Sequence, residues 1–114
     1  MQDKYREECG VFGIAGHPEA ANLAYLGLYA LQHRGQESAG IASWDGHTIH
    51  HSKAMGYVNE AFDSTSLAKL PGTMAVGHVR YSTAGESRLA NAQPIVVDST
   101  HGPLAICQIG RAHV

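Results

Sequence analysis

Cysteine and charge are both scarce in this chain, and each scarcity removes a class of protein. Its two cysteines, Cys9 and Cys107, stand far apart in unlike contexts. That is too few for a disulfide scaffold, and neither has the paired spacing of a metal site, so no metal ligand is assigned. A reducing compartment is the simplest setting, and a cytoplasmic location is expected. Charged residues make up 16% of the 114, the formal net charge is −2, and no basic stripe occurs. Nucleic-acid binding therefore has no electrostatic support. No apolar run approaches membrane-spanning length, so no membrane partner is expected either. The stretch Met1–Glu8 carries Asp3, Lys4, Arg6, Glu7 and Glu8 and lacks the apolar segment of a signal peptide. Internal repeats and low-complexity tracts are missing. What is left is 44% hydrophobic, a globular composition that suits one domain, or part of one, around one modest core.

Hydrophobic spacing orders the remainder. Cys9–Gly16 (CGVFGIAG) is small, apolar and β-branched, and its glycines suit a buried strand that another group approaches closely. Pro18 and Glu19 open a helix, with proline in the first turn and an acid near the positive end of the dipole. Ala20, Leu23, Ala24, Leu26, Ala30 and Leu31 recur at helical spacing, and Gly35 follows as a stop. Ser38–Trp44 reads as a second strand, and Asp45-Gly46 as a two-residue hairpin into a third, His47–Lys53. Ala54–Gly72 is mixed, loops with one short helix. Thr73–Tyr81 is a buried strand ending in polar residues, Ser82–Gln93 a long loop. Pro94–Val97 and Pro103–Cys107 form a hairpin around Asp98–Gly102. A strand, a helix and then mostly antiparallel strands predict an α+β fold. The strands are too few to close it.

Three constellations carry chemistry. Cys9 is either a small buried hydrophobe or a nucleophile. It follows a short polar segment and opens a glycine-bearing strand where a backbone can meet a substrate. Were the Glu8–Cys9 bond cleaved, one residue would hold both thiol and base, since an α-amine with a pKa near 8 accepts a thiol proton at neutral pH. Gln32–Gly40 (QHRGQESAG) is either a helix end with a polar turn or part of a site. Gly77–Gly85 (GHVRYSTAG) places Arg80 after a buried strand in a hydroxyl-rich loop, which suits bidentate capture of a carboxylate as well as an ordinary surface arginine. The histidines His47, His50 and His51 read as a solvated hairpin, because His50 and His51 point to opposite faces of a strand. Cys107 reads as a core thiol.

Taken in this order, CGVFGI, LQHRGQESAGI, GHVRYSTAG and NAQP resemble the glutamine amidotransferases with an N-terminal nucleophile, over Glu8 to Cys107. Among them the wording fits the branch that opens purine synthesis. The resemblance implies an N-terminal-nucleophile hydrolase fold, a four-layer αββα sandwich that is incomplete in this stretch. It implies residues 1–8 as a propeptide removed autocatalytically and residues 9–107 as the front of a glutamine amidotransferase domain. Cys9 would attack the side-chain amide of glutamine to give a thioester and ammonia. Arg80 would clamp the substrate α-carboxylate, Tyr81 and Thr83 would shape the same pocket, and Arg34 and Gly35 would line a loop beside the nucleophile. Ammonia would pass to a second domain and displace pyrophosphate from phosphoribosyl pyrophosphate, giving phosphoribosylamine. No cofactor is implied here; magnesium and, where present, a 4Fe-4S cluster would bind elsewhere in a full-length, homo-oligomeric enzyme. A sibling amidotransferase with another acceptor, or a non-catalytic glutamine-binding module, are the alternatives.

The resemblance breaks after Cys107. The family continues with His-Asn-Gly, whose Asn side chain and Gly amide form an oxyanion hole, and later with an aspartate for the substrate amine. Here residues 108–114 read QIGRAHV. That string is the translation of a common sequencing-library adapter whose next codon is a stop, so a non-native tail is expected. Without the oxyanion donors, each worth about 3–4 kcal/mol in comparable hydrolases, this stretch by itself is expected to be inactive. Genomic resequencing checks the tail: a read that runs through Gln108–Val114 to a native stop overturns it.

Overall fold

The computed structural model describes residues 9–32, 36–81 and 92–107. The expected propeptide 1–8 and tail 108–114 lie outside the described residues, as do 33–35 and 82–91. The apolar run after Cys9 forms strand β1 (Cys9–Ala15), and the helical periodicity forms α1 (Ala20–Leu31). Strands β2 (Gln36–Trp44) and β3 (Ile49–Met55) follow, then the short helices α2 (Val58–Ala61) and α3 (Ser64–Ala68). Strand β4 (Met74–Tyr81) precedes the hairpin β5 (Ile95–Ser99) and β6 (Gly102–Ile106). One sheet has the order β1-β4-β2-β3, antiparallel throughout, and β5-β6 form a second, two-stranded sheet. This is the α+β arrangement expected, with helix and strand layers of the sandwich present in part.

Strand alternation sorts the first sheet into two faces. Val79, Ile41 and Ala39 join Ala20, Ala24 and Leu28 of α1 in the core; Leu28, Ile41 and Val79 are fully buried. Each such side chain contributes about 1.5–3 kcal/mol of burial. The helix reaches the sheet closely because β4 offers no side chain at Gly77. A Cβ there would lie 2.8 Å from Leu28 Cδ1 and 3.0 Å from its Cγ. On the other face the chain entering β5 crosses β2: a Cβ on Gly40 would meet the Gln93 carbonyl oxygen at 2.0 Å.

Three local departures from expectation have physical causes. Asp45-Gly46 does not make a two-residue hairpin. The Asp45 carboxylate accepts from the backbone N–H of His47 (2.8 Å) and of Thr48 (2.7 Å), so those residues stay in the turn and β3 starts at Ile49. Two short helices replace the single one expected, because each has its own N-terminal partner. Tyr57 N–H donates to Glu60 Oε1 at 2.8 Å, and Ser66 N–H donates to Asp63 Oδ1 at 2.8 Å. Finally, β2 starts at Gln36 rather than Ser38, through an irregularity in its pairing with β4 between those residues.

Gly77→Ala tests the helix–sheet contact. Leu28 is fully buried at that contact, so stability should fall by about 1–3 kcal/mol, read as a lower urea midpoint at unchanged slope. An unchanged midpoint would show that the interface has slack.

Candidate active site

Strand pairing assembles the site. In the β1–β4 register Cys9 stands opposite Arg80, and in the β2–β4 register Arg80 stands opposite Ser38. A row Cys9–Arg80–Ser38–Met55 therefore crosses all four strands. Directly opposed residues in an antiparallel pair have Cα atoms about 4.5–5.5 Å apart. A residue at the start of one motif and an arginine some seventy positions later are thus brought side by side by backbone hydrogen bonds.

The arginine is held from below. Between Gln36 and Ser38 the register shifts, so Glu37 is an extra residue on β2. Its Oε2 accepts from Arg80 Nε at 2.9 Å, with the two side chains only 13% and 18% exposed. No hydrogen bond to a described residue uses the Nη ends of the guanidinium. The bulge is itself fastened. Gly56 N–H donates to the Glu37 carbonyl at 2.8 Å, while buried Gln36 Nε2 donates to Ser38 O at 2.8 Å and Gly56 O at 2.7 Å. Beside Arg80, the hydroxyl of Ser38 is buried and has no hydrogen-bond partner among the described residues. One row along, His78 is fully buried between Val11 and Gly40. Lys53, opposite Gly40, donates from Nζ to Ala92 O at 2.9 Å, which pins the segment before β5 across this face.

Of the other residues expected at the site, Tyr81 is the one among the described residues. Tyr81, expected to share the pocket of Arg80, is on the opposite face of β4; it is buried and its hydroxyl donates to Leu31 O at 2.8 Å. Adjacent strand residues alternate in direction, so Arg80 and Tyr81 cannot line one surface. The phenol instead ties β4 to the last turn of α1. Thr83, Arg34 and Gly35 lie outside the described residues. Cys107, expected in the core, is only half-buried just past β6, and desolvation pushes its thiol up to about 11. In the histidine cluster, His50 Nε2 lies 2.8 Å from Asp45 Oδ2. That contact, with the His47 and Thr48 amides, holds the Asp45 carboxyl below the usual range. No group of three or more His, Cys, Asp or Glu able to hold a metal occurs among the described residues.

Sequence reasoning did not single out Glu37, Ser38, His78 or Lys53 as site residues. Glu37 and Ser38 lie inside QHRGQESAG and His78 inside GHVRYSTAG, so the motifs enclosed them. Their roles rest on a bulge and on sheet register, which period-2 spacing does not reveal.

A cysteine opening the edge strand of an antiparallel sheet, in register with a carboxylate-held arginine and under a helical layer, is the N-terminal-nucleophile glutamine amidotransferase fold. Comparison with known proteins makes this specific. The chain is 56% identical over 109 residues to amidophosphoribosyltransferase of Synechocystis sp., covering 95% of this chain and 22% of that protein. It is 49% identical over 105 residues to the Bacillus subtilis protein of the same name, covering 91% and 22%. Among solved structures it superposes on the allosteric regulatory enzyme of purine biosynthesis with a TM-score of 0.77 at 48% identity, over 83% of this chain and 21% of that one. The B. subtilis glutamine phosphoribosylpyrophosphate amidotransferase, complexed with ADP and GMP, gives 0.74 at 45% identity, over 83% and 20%. No family model matches the chain. The chain belongs to the amidophosphoribosyltransferase family and corresponds to an N-terminal part of it. It spans about a fifth of the length of these relatives.

Two measurements check this geometry. Gly40→Ala should lower stability by about 1–3 kcal/mol, because the added methyl meets a backbone carbonyl that no rotamer change can move. An unaltered denaturant midpoint would mean that residues 92–94 do not lie on β2. In the native protein Cys107 should alkylate slowly at pH 7–8 and faster toward its raised pKa, because the thiolate is the reactive form. Rapid iodoacetamide labelling of Cys107 at pH 7 contradicts its burial.

Proposed function

We propose that this chain carries the glutamine-hydrolysing part of an amidophosphoribosyltransferase. The observation that carries the reading is the register of Cys9 with Arg80, in a chain 56% identical to such an enzyme. Release of residues 1–8 frees the Cys9 α-amine. That amine takes the thiol proton, and the thiolate attacks the side-chain amide carbon of glutamine. The tetrahedral intermediate collapses to a γ-glutamyl thioester as the amide nitrogen, taking a proton from the ammonium, leaves as ammonia. Water then hydrolyses the thioester to glutamate and regenerates the thiol. Arg80, through its Nη ends, fixes the α-carboxylate, so the amide of a bound glutamine is set at the neighbouring strand where Cys9 begins.

The rest of the reaction belongs to the full-length protein. Ammonia replaces pyrophosphate on phosphoribosyl pyrophosphate to give 5-phosphoribosylamine, the first step of purine synthesis, on a domain beyond this stretch. That the solved relatives are the allosteric regulatory enzyme of purine biosynthesis and the B. subtilis glutamine phosphoribosylpyrophosphate amidotransferase supports that assignment. On this reading magnesium and any iron–sulfur cluster would bind in that remainder, and no step above runs through them. Homo-oligomeric assembly and a cytoplasmic location complete the reading. No described helix is long and apolar enough to cross a membrane, and some relatives are chloroplastic.

In the full-length protein, Cys9→Ala should abolish glutamine hydrolysis, a loss of at least about 1,000-fold, while synthesis driven by added ammonium salt continues. Equal ammonia release from both forms removes Cys9 from the chemistry. Intact mass supplies a second check, since an active enzyme that retains Met1–Glu8 contradicts the amine as base.

A further inference from the structure

We infer that Glu37 is a positioning residue for glutamine binding, acting through Arg80; this rests on the reading of Arg80 as the carboxylate clamp. An arginine that captures a carboxylate in two parallel hydrogen bonds must present one edge of its planar fork in a fixed direction. On a free side chain that direction is spread over many rotamers, and fixing it on binding costs affinity. Glu37 removes that freedom beforehand. Its Oε2 engages Nε, the donor nearest the stem, at 2.9 Å, with both side chains mostly buried. That side-on contact occupies Nε and leaves the Nη ends to face a ligand.

The carboxylate reaches Arg80 because of the backbone beneath it. Regular pairing sets Ser38, not Glu37, opposite Arg80. The extra residue in β2 is what brings the Glu37 side chain to the guanidinium. Gln36 Nε2 spans the irregularity to Ser38 O (2.8 Å) and ties it to the β3–α2 turn at Gly56 O (2.7 Å). A second strap is the 2.8 Å hydrogen bond from Gly56 N–H to the Glu37 carbonyl. Gln36, Glu37 and Ser38 thus form one device whose output is the orientation of Arg80.

The test uses the full-length protein, with glutamine-driven and ammonium-driven synthesis measured side by side. Glu37→Ala should raise KM for glutamine about tenfold, with kcat changed by less than about threefold and ammonium-driven activity intact. Glu37→Gln, whose amide oxygen accepts the same Nε hydrogen bond, should stay within about threefold of the parent KM. Arg80→Ala is the reference arm and should raise KM by about 100-fold or more. A normal KM in Arg80→Ala overturns the clamp reading itself. A raised KM in Arg80→Ala with a normal one in Glu37→Ala overturns only the role of Glu37. The role is also overturned if Glu37→Ala loses ammonium-driven activity in step with the glutamine-driven rate, or if Glu37→Gln behaves like Glu37→Ala.

Discussion

The pairing of β4 with β1 on one side and β2 on the other holds everything else in place. Those backbone hydrogen bonds set Cys9, Arg80 and Ser38 in one row. They also decide which residues of β4 meet the helix and which face the site. Because side chains alternate with a period of two, a slip of one residue would send Arg80 into the helix layer and bring Val79 or Tyr81 to the site face. The register is therefore protected by the same interactions that make the core: Val79 buried against α1, and Tyr81 hydrogen-bonded to Leu31 O. Stability and site geometry are two readings of one strand.

Absent side chains do the rest of the positioning. Gly77 lets Leu28 pack onto the strand, and Gly40 lets residues 92–94 lie across β2. One contact sits on each face, so the sheet is gripped from both sides where it carries the site rows. The Lys53–Ala92 hydrogen bond adds a polar strap at the Gly40 row. The polar interior is correspondingly ordered around a bulge, a break in regularity that re-aims a side chain.

Much of this could be read beforehand, and the failures are instructive. The order of strands and the main helix followed from hydrophobic spacing, and Cys9 and Arg80 stood out through their motifs. Tyr81 was misplaced by treating a motif as a surface, although the alternation that separated His50 from His51 applies equally to Arg80 and Tyr81. The turn at Asp45 was read from its dipeptide alone. The side chain's capture of two further backbone amides lengthened it. Glu37 looked like an ordinary polar residue after a helix, because nothing local announces a bulge.

The sequence alone pointed to the chemistry proposed: a cysteine after a short polar stretch, an arginine at a strand end, and the segment order, all matters of residue type and local periodicity. Only tertiary structure decided which of those residues meet. Register, face and bulge depend on contacts between strands distant along the chain, and local propensity has no access to those. That is why Arg80 came out beside Cys9 with Glu37 holding it, while Tyr81, its chain neighbour, serves the helix instead.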